Sequence, residues 1–131
     1  MIIWEDKKIK FKNGCEIKYK YNIQNVLEFK NSIIVHTAPS NETEYESFRT
    51  EFGKEFNKGP VFAYSKVGEK LWQWKTAHVN YIEKVKLQTG IILDIKTKKE
   101  LDKFFLLISC TNFNFYIDPD NGQITKQEQT K

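Results

Sequence analysis

The side chains of this chain able to do covalent or metal chemistry are few, and their spacing does not suit it. His36 and His78 are the only histidines, and neither has a cysteine or the other histidine at ligand spacing, so no zinc site is expected. Asp118, Asp120 and Gly122 start like a calcium loop, but a glycine fills the third ligand position and Gln129 stands where the closing glutamate is required. That segment reads as a turn. The pairs Glu5/Asp6 and Asp118/Asp120 lie in polar surroundings, which do not raise a carboxyl pKa toward the range useful for acid–base work. The sequence has no nucleophile elbow, phosphate-cradling glycine loop or dinucleotide fingerprint. The chain is therefore expected to carry no catalytic residue, no metal and no cofactor, and to work by binding.

Two groups of residues suit binding. Across 41–58, Glu42, Glu44, Glu46, Glu51 and Glu55 face Arg49, Lys54 and Lys58, a local charge of −2 on a chain whose net charge is +4. Carboxylates concentrated on one element favour fast, oriented association with a basic protein. Within this group Glu42, Glu44, Glu46 and Glu51 are expected on the exposed side with Tyr45 as a central aromatic anchor. The second group is Trp72-Gln73-Trp74 with His78 and Tyr81. Aromatic side chains there suit an interface, although at least one of the two tryptophans is expected in the core. The candidate partner-binding residues of this group are Trp74, His78 and Tyr81. Direct nucleic-acid binding is not expected, because Arg49 is the only arginine among 21 basic residues and arginine is the side chain suited to bidentate phosphate recognition.

The elements that must position these groups read mainly as strands. A chain of 131 residues suits a single domain, and its 15% aromatic content suits half-buried pleated surfaces. Acidic residues follow Met1 where a signal peptide needs a basic region, and no run of about 18 apolar residues occurs, so a cytoplasmic protein without a membrane span is expected. Cys15 and Cys110 are expected reduced. In region 1–22, Ile9, Phe11, Cys15, Ile17, Tyr19 and Tyr21 alternate with Lys8, Lys10, Lys12, Glu16, Lys18 and Lys20, which predicts a β-hairpin with one dry face and one lysine face. A two-residue Asn13-Gly14 turn would set Phe11 against Glu16. A three-residue loop of Lys12, Asn13 and a left-handed Gly14 instead pairs Ile9 with Ile17 and puts Phe11 opposite Cys15.

Strand pattern continues at 25–30, 32–37, 61–65 and 70–75, and again at 81–87, 91–97, 104–110, 113–117 and 123–128. The two sets form a repeat, 23–75 and 79–128. From Ile34 to Phe62 is 28 positions, but from the matching Leu107 to Phe115 only 8, which leaves 20 extra residues at 40–59. Within them Tyr45, Phe48, Phe52 and Phe56 recur at helical spacing, with start signals at Pro39-Ser40-Asn41, a weak point at Gly53 and a stop at Gly59-Pro60. The predicted fold is all-β: an antiparallel meander of two blade-like four-stranded units plus an N-terminal hairpin, with one helical insertion. An element that one copy of a repeat lacks is not needed to close the meander, which marks it for individual function.

Tyr64-Ser-Lys-Val-Gly-Glu-Lys-Leu-Trp72 resembles the blade motif of quinoprotein-type β-propellers, and Tyr116-Ile-Asp-Pro-Asp-Asn-Gly-Gln-Ile124 resembles the same element with Ile124-Thr125 in place of Leu-Trp. The likeness spans 26–128. Two blades do not close a propeller, so the family's quinone binding does not carry over. In its whole layout, with a mid-chain Leu-Trp-Gln and a terminal Ile-Asp-Pro-x-x-Gly-x-Ile, the chain resembles small bacterial immunity proteins of contact-dependent or polymorphic toxin systems. That resemblance implies a protein partner, a cognate toxin domain, occluded in the producer's cytoplasm. The alternative expectation is an assembly module, in which blade-like sheets self-associate through their edges as a homodimer.

Overall fold

The alternation of the N-terminal segment becomes two strands, β2 (Lys8–Lys10) and β3 (Glu16–Lys18), with Ile9 directly opposite Ile17. The computed structural model describes residues 2–52, 61–74, 92–110 and 113–129. Phe11 N–H donates to Cys15 O at 2.8 Å, Gly14 N–H donates to Phe11 O at 3.0 Å, and Gly14 has φ +91°. This is the three-residue loop that side-chain parity demands. The N-terminal element is nevertheless a three-stranded sheet rather than a hairpin. Strand β1 (Ile3–Glu5) adds to β2 through a tight turn at Asp6 and Lys7, with Asp6 at φ +47°. All three residues of β1 are exposed, so no alternation marks it in the sequence.

The repeat forms two four-stranded antiparallel sheets. The first runs β4 (Asn22–Glu28), β5 (Ile33–Ala38), β6 (Val61–Tyr64), β7 (Lys70–Trp74); the second runs β8 (Ile92–Glu100), β9 (Lys103–Cys110), β10 (Phe113–Ile117), β11 (Ile124–Gln129). Helix α1 (Glu42–Phe52) is inserted between β5 and β6, and 53–60 and the strand predicted at 81–87 lie outside the described residues. Register supports the duplication: Ile34 lies opposite Ala63, and Leu107 opposite Tyr116. Each sheet also bulges at the same two places, at Ile23/Asn25 and Ala63/Tyr64 in the first and at Ile92/Asp94 and Tyr116/Ile117 in the second. One correction to the expected alignment follows from the turns. Ser65 N–H bonds Glu69 O, whereas Asp118 N–H bonds Gln123 O, so the second turn is one residue longer. Trp72, opposite Ala63, therefore corresponds to Lys126, opposite Tyr116, and not to Thr125.

The three sheets stack in layers, and the first blade is the middle one. Its front face, Ile33, Val35 and Tyr64, packs on Ile9 and Phe11 of the N-terminal sheet. Its back face, Ile34, Val61 and Ala63, packs on Ile95, Leu106, Ile108, Phe115 and Ile117 of the second blade, with Phe48 of α1 completing that core. Every residue of β5 is buried as a result. Each buried Ile or Phe contributes roughly 1.5–3 kcal/mol, so the two interfaces dominate the fold's stability. Among the described residues no further sheet follows, and the outer face of the second blade combines the buried Leu107 and Tyr116 with polar side chains. Where the first blade has Leu27, His36, Val61 and Trp72 on its back face, the second has Lys96, Ser109, Asn114 and Lys126. Lys126 lies 4.8 Å over the Tyr116 ring and 3.5 Å from Glu100.

The layers are pinned at their hairpin tips. Asn13 Nδ2 donates to Val67 O at 3.2 Å, joining the N-terminal loop to the β6–β7 turn. Trp72 then joins the blades: its Nε1–H donates to Pro119 O at 2.8 Å, and its ring covers Gly122 so closely that a Cβ there would sit 2.7 Å from it. Gly122 also has φ +75°, whereas at Gly14 an added Cβ would meet nothing within 4 Å. Gly14→Ala should therefore cost about 1 kcal/mol for the left-handed backbone alone. Gly122→Ala should cost about 2–4 kcal/mol, because the Trp72 ring must also move. Urea denaturation of the two variants checks this, and equal losses would mean that Trp72 does not fix the second turn.

Candidate functional site

Antiparallel topology sorts the molecule into two ends. The β4–β5, β6–β7, β8–β9 and β10–β11 turns lie at one end of the strands, and α1, which leaves β5 and returns to β6, lies at the other. Six residues of β5 separate them, a distance of about 20 Å.

At the helix end, local chemistry explains where α1 starts. Asn41 Oδ1 accepts the Glu44 N–H at 2.9 Å, and the Glu44 carboxylate reaches back to the Ser40 N–H at 3.1 Å, a reciprocal cap. Phe48 is fully buried and meets the Tyr21 ring edge-on at 5.3 Å. Glu44 does more than cap. Its carboxylate lies 2.6 Å from Lys7 Nζ with only 12% of its side chain exposed, so it ties the helix to the β1–β2 turn. Its bond to Lys7, helped by Ser40, holds its pKa below the ordinary carboxylate value. Glu51 accepts from Tyr21 Oη at 3.1 Å and lies 3.5 Å from Lys20 Nζ. Tyr45 is half-buried, with the Arg49 guanidinium 5.5 Å from its ring centre. Glu42 and Glu46 are exposed and form no ion pair among the described residues. Of the expected acidic surface, then, Glu44 and Glu51 are engaged internally, while Glu42 and Glu46 flank Tyr45 with their charges open to solvent.

The second expected surface is only partly described. The backbone of Trp74 closes β7 opposite Val61; its side chain, His78 and Tyr81 lie outside the described residues. Trp72 is the structural tryptophan of the pair, packed against the inter-blade core. His36 and Cys110 are enclosed. His36 lies within the stack at 3% exposure, and burial pushes the Cys110 thiol up to about 12, which keeps it protonated and unreactive. Cys15 and Cys110 are not joined. Tyr19 and Tyr64 share a 2.9 Å hydroxyl bond, and burial raises both phenols, so the bond acts structurally. Among the described residues no three His, Cys, Asp or Glu side chains come together as a metal site, and no helix is long and apolar enough to cross a membrane.

The opposite end holds a feature the sequence reading missed. Between the tips of the two blades lies an open cleft of about 600 Å³, walled by the β4–β5, β8–β9 and β10–β11 turns. Its edge is formed by the β8–β9 hairpin, where Glu100 pairs with Lys103 and only Leu101 and Asp102 make the turn. Leu101 is 94% exposed at φ +55°, and Phe104, which lines the cleft, is 52% exposed. The charged run Lys98-Lys99-Glu100 breaks the alternation that would have extended β8 this far. No protein-family profile matches the chain, and no curated protein matches it.

Two stability measurements separate structural from available residues. Glu44→Gln, which keeps a capping oxygen but loses the carboxylate charge beside Lys7, should cost about 1 kcal/mol, while Glu46→Lys should change stability by less than about 0.5 kcal/mol. Because the folded pKa of Glu44 is lowered, its contribution is complete above the ordinary carboxylate range and is lost as pH falls through the folded value. The gap between wild type and Glu44→Gln should therefore close on acidification; a gap independent of pH would exclude the charge as its source. Leu101→Gly should raise stability by about 0.5–1 kcal/mol in urea denaturation, since glycine relieves a left-handed turn that leucine fills at a cost.

Proposed function

We propose that this chain is a non-enzymatic protein-binding domain, an immunity protein that holds a cognate bacterial toxin in the producer's cytoplasm. The observation that supports this reading is the construction of α1. It is an insertion that the second repeat lacks, its Phe48 is built into the core, and it still leaves Glu42 and Glu46 exposed beside Tyr45. A rigidly fixed element with open carboxylates suits a basic surface, and toxin nucleases are basic because they hold polyanions. Glu42, Tyr45 and Glu46 are the residues this reading assigns to the contact, with Trp74, His78 and Tyr81 as the other candidate surface. The resemblance in layout to immunity proteins of polymorphic toxin systems points the same way. Self-association through sheet edges suits the chain less well, because edge strand β11 is exposed and carries Lys126 and Glu128.

The test is co-expression with the protein encoded immediately upstream in the parent genome, scored by growth. Protection by the wild type and its loss in Glu42→Lys/Glu46→Lys are expected, with association slowed by about tenfold or more and the unfolding transition unchanged. Failure of the wild type to protect would remove the toxin reading, and equal protection by the double reversal would remove the helix from the contact.

A further inference from the structure

The cleft between the blade tips combines three properties that the fold itself does not require. The first is room. Its volume of about 600 Å³ falls within the range of roughly 300–1,000 Å³ typical of ligand pockets, although it is open rather than enclosed. The second is exposed apolar surface at its edge: Phe104 lines it with half its area in water, and Leu101, beside the lining Asp102, is almost wholly in water. A leucine so exposed adds nothing to the core, and it occupies a backbone conformation that glycine or asparagine would adopt at lower cost. The third is charge. The lining carries Glu28, Asp102, Asp118 and Asp120 against Lys30 and Lys103, a local −2 on a chain of +4.

Not all of those charges are available. Glu28 lies 3.4 Å from Lys66, and Asp118 Oδ1 accepts the Asp120 N–H at 2.9 Å. Lys103 lies over the Phe105 ring at 5.4 Å and Lys99 over the Phe104 ring at 5.5 Å, each a cation already placed on an aromatic face. Asp102 and Asp120 form no ion pair among the described residues and stand on two different turns bordering the cleft. Two open carboxylates on separate walls, with an exposed aromatic between the sheets and a leucine at the edge, match a ligand that presents positive charge and bulky apolar groups together. The net negative charge of the lining favours a cationic occupant over nucleic acid or anionic lipid.

We infer that this cleft is a docking site for an extended segment of a partner protein that bears arginine or lysine next to a large apolar side chain. The apolar group covers Phe104 and Leu101, and the cation lies between Asp102 and Asp120. This site stands at the opposite end of the strands from α1 and does not depend on the toxin reading.

The experiment titrates the labelled full chain with a capped hexapeptide of alternating arginine and leucine, followed by two-dimensional NMR. A control peptide replaces arginine by glutamate. Saturable shifts confined to the three cleft turns are expected, with affinity falling about tenfold in Asp102→Lys/Asp120→Lys and several-fold in Leu101→Gly, whose fold is kept or strengthened. Raising the salt to about 0.5 M should weaken binding by a similar factor. Absence of saturation by about 1 mM, equal binding of the control peptide, or unchanged affinity in both variants would overturn the site. A concentration-dependent dimer that Leu101→Gly abolishes would also overturn it, by placing a second copy in the cleft.

Discussion

Ile33 and Val35 project from one side of β5 and Ile34 from the other, and all three are fully buried. A strand apolar on both faces needs a cover on each, and this requirement organises the molecule. The N-terminal sheet supplies the front cover through Ile9 and Phe11, and the second blade supplies the back cover through Leu106, Ile108 and Phe115. Because covering both faces takes most of the apolar side chains among the described residues, what is left in the open is informative. Leu101, Phe104 and the carboxylates of α1 stand outside both interfaces.

The hairpin tips convert stacking into a fixed geometry. Face-to-face packing of sheets tolerates sliding, since it is non-directional, whereas the Trp72 hydrogen bond to Pro119 and the fit of its ring against Gly122 define one register between the blades. The same end of the molecule is therefore both the site of that registration and the site of the cleft. At the other end α1 is held by different means, a reciprocal cap and the Lys7 ion pair, so the two exposed surfaces rest on independent supports.

Period-two alternation made most strands, both repeats and the insertion legible, and parity alone determined the loop at Gly14. What escaped has physical reasons. Strand β1 lacks a buried face, so its three residues carry no pattern. The ends of β8 and β9 are solvated on both sides, so Lys98, Lys99 and Glu100 read as loop although they pair in register with Phe105, Phe104 and Lys103. The equivalence of Trp72 and Lys126 was hidden by one extra turn residue, which sequence alignment by motif absorbs and backbone register does not. At the candidate surfaces, residue type revealed the acidic helix, but the engagement of Glu44 with Lys7 joins residues far apart in sequence. The cleft likewise arises only when three turns meet.

The directionality of the stack sets a limit on growth. Each blade takes up the sheet before it with its front and offers its back to the next, and the second blade offers Lys96, Ser109, Asn114 and a Lys126 held by Glu100. Adding a third unit there would strip water from Lys96 and Lys126, while Leu107 and Tyr116 on the same face are already buried and have little further apolar area to give. Among the described residues, the two-blade array is thus bounded by polarity where a propeller is closed by a ring.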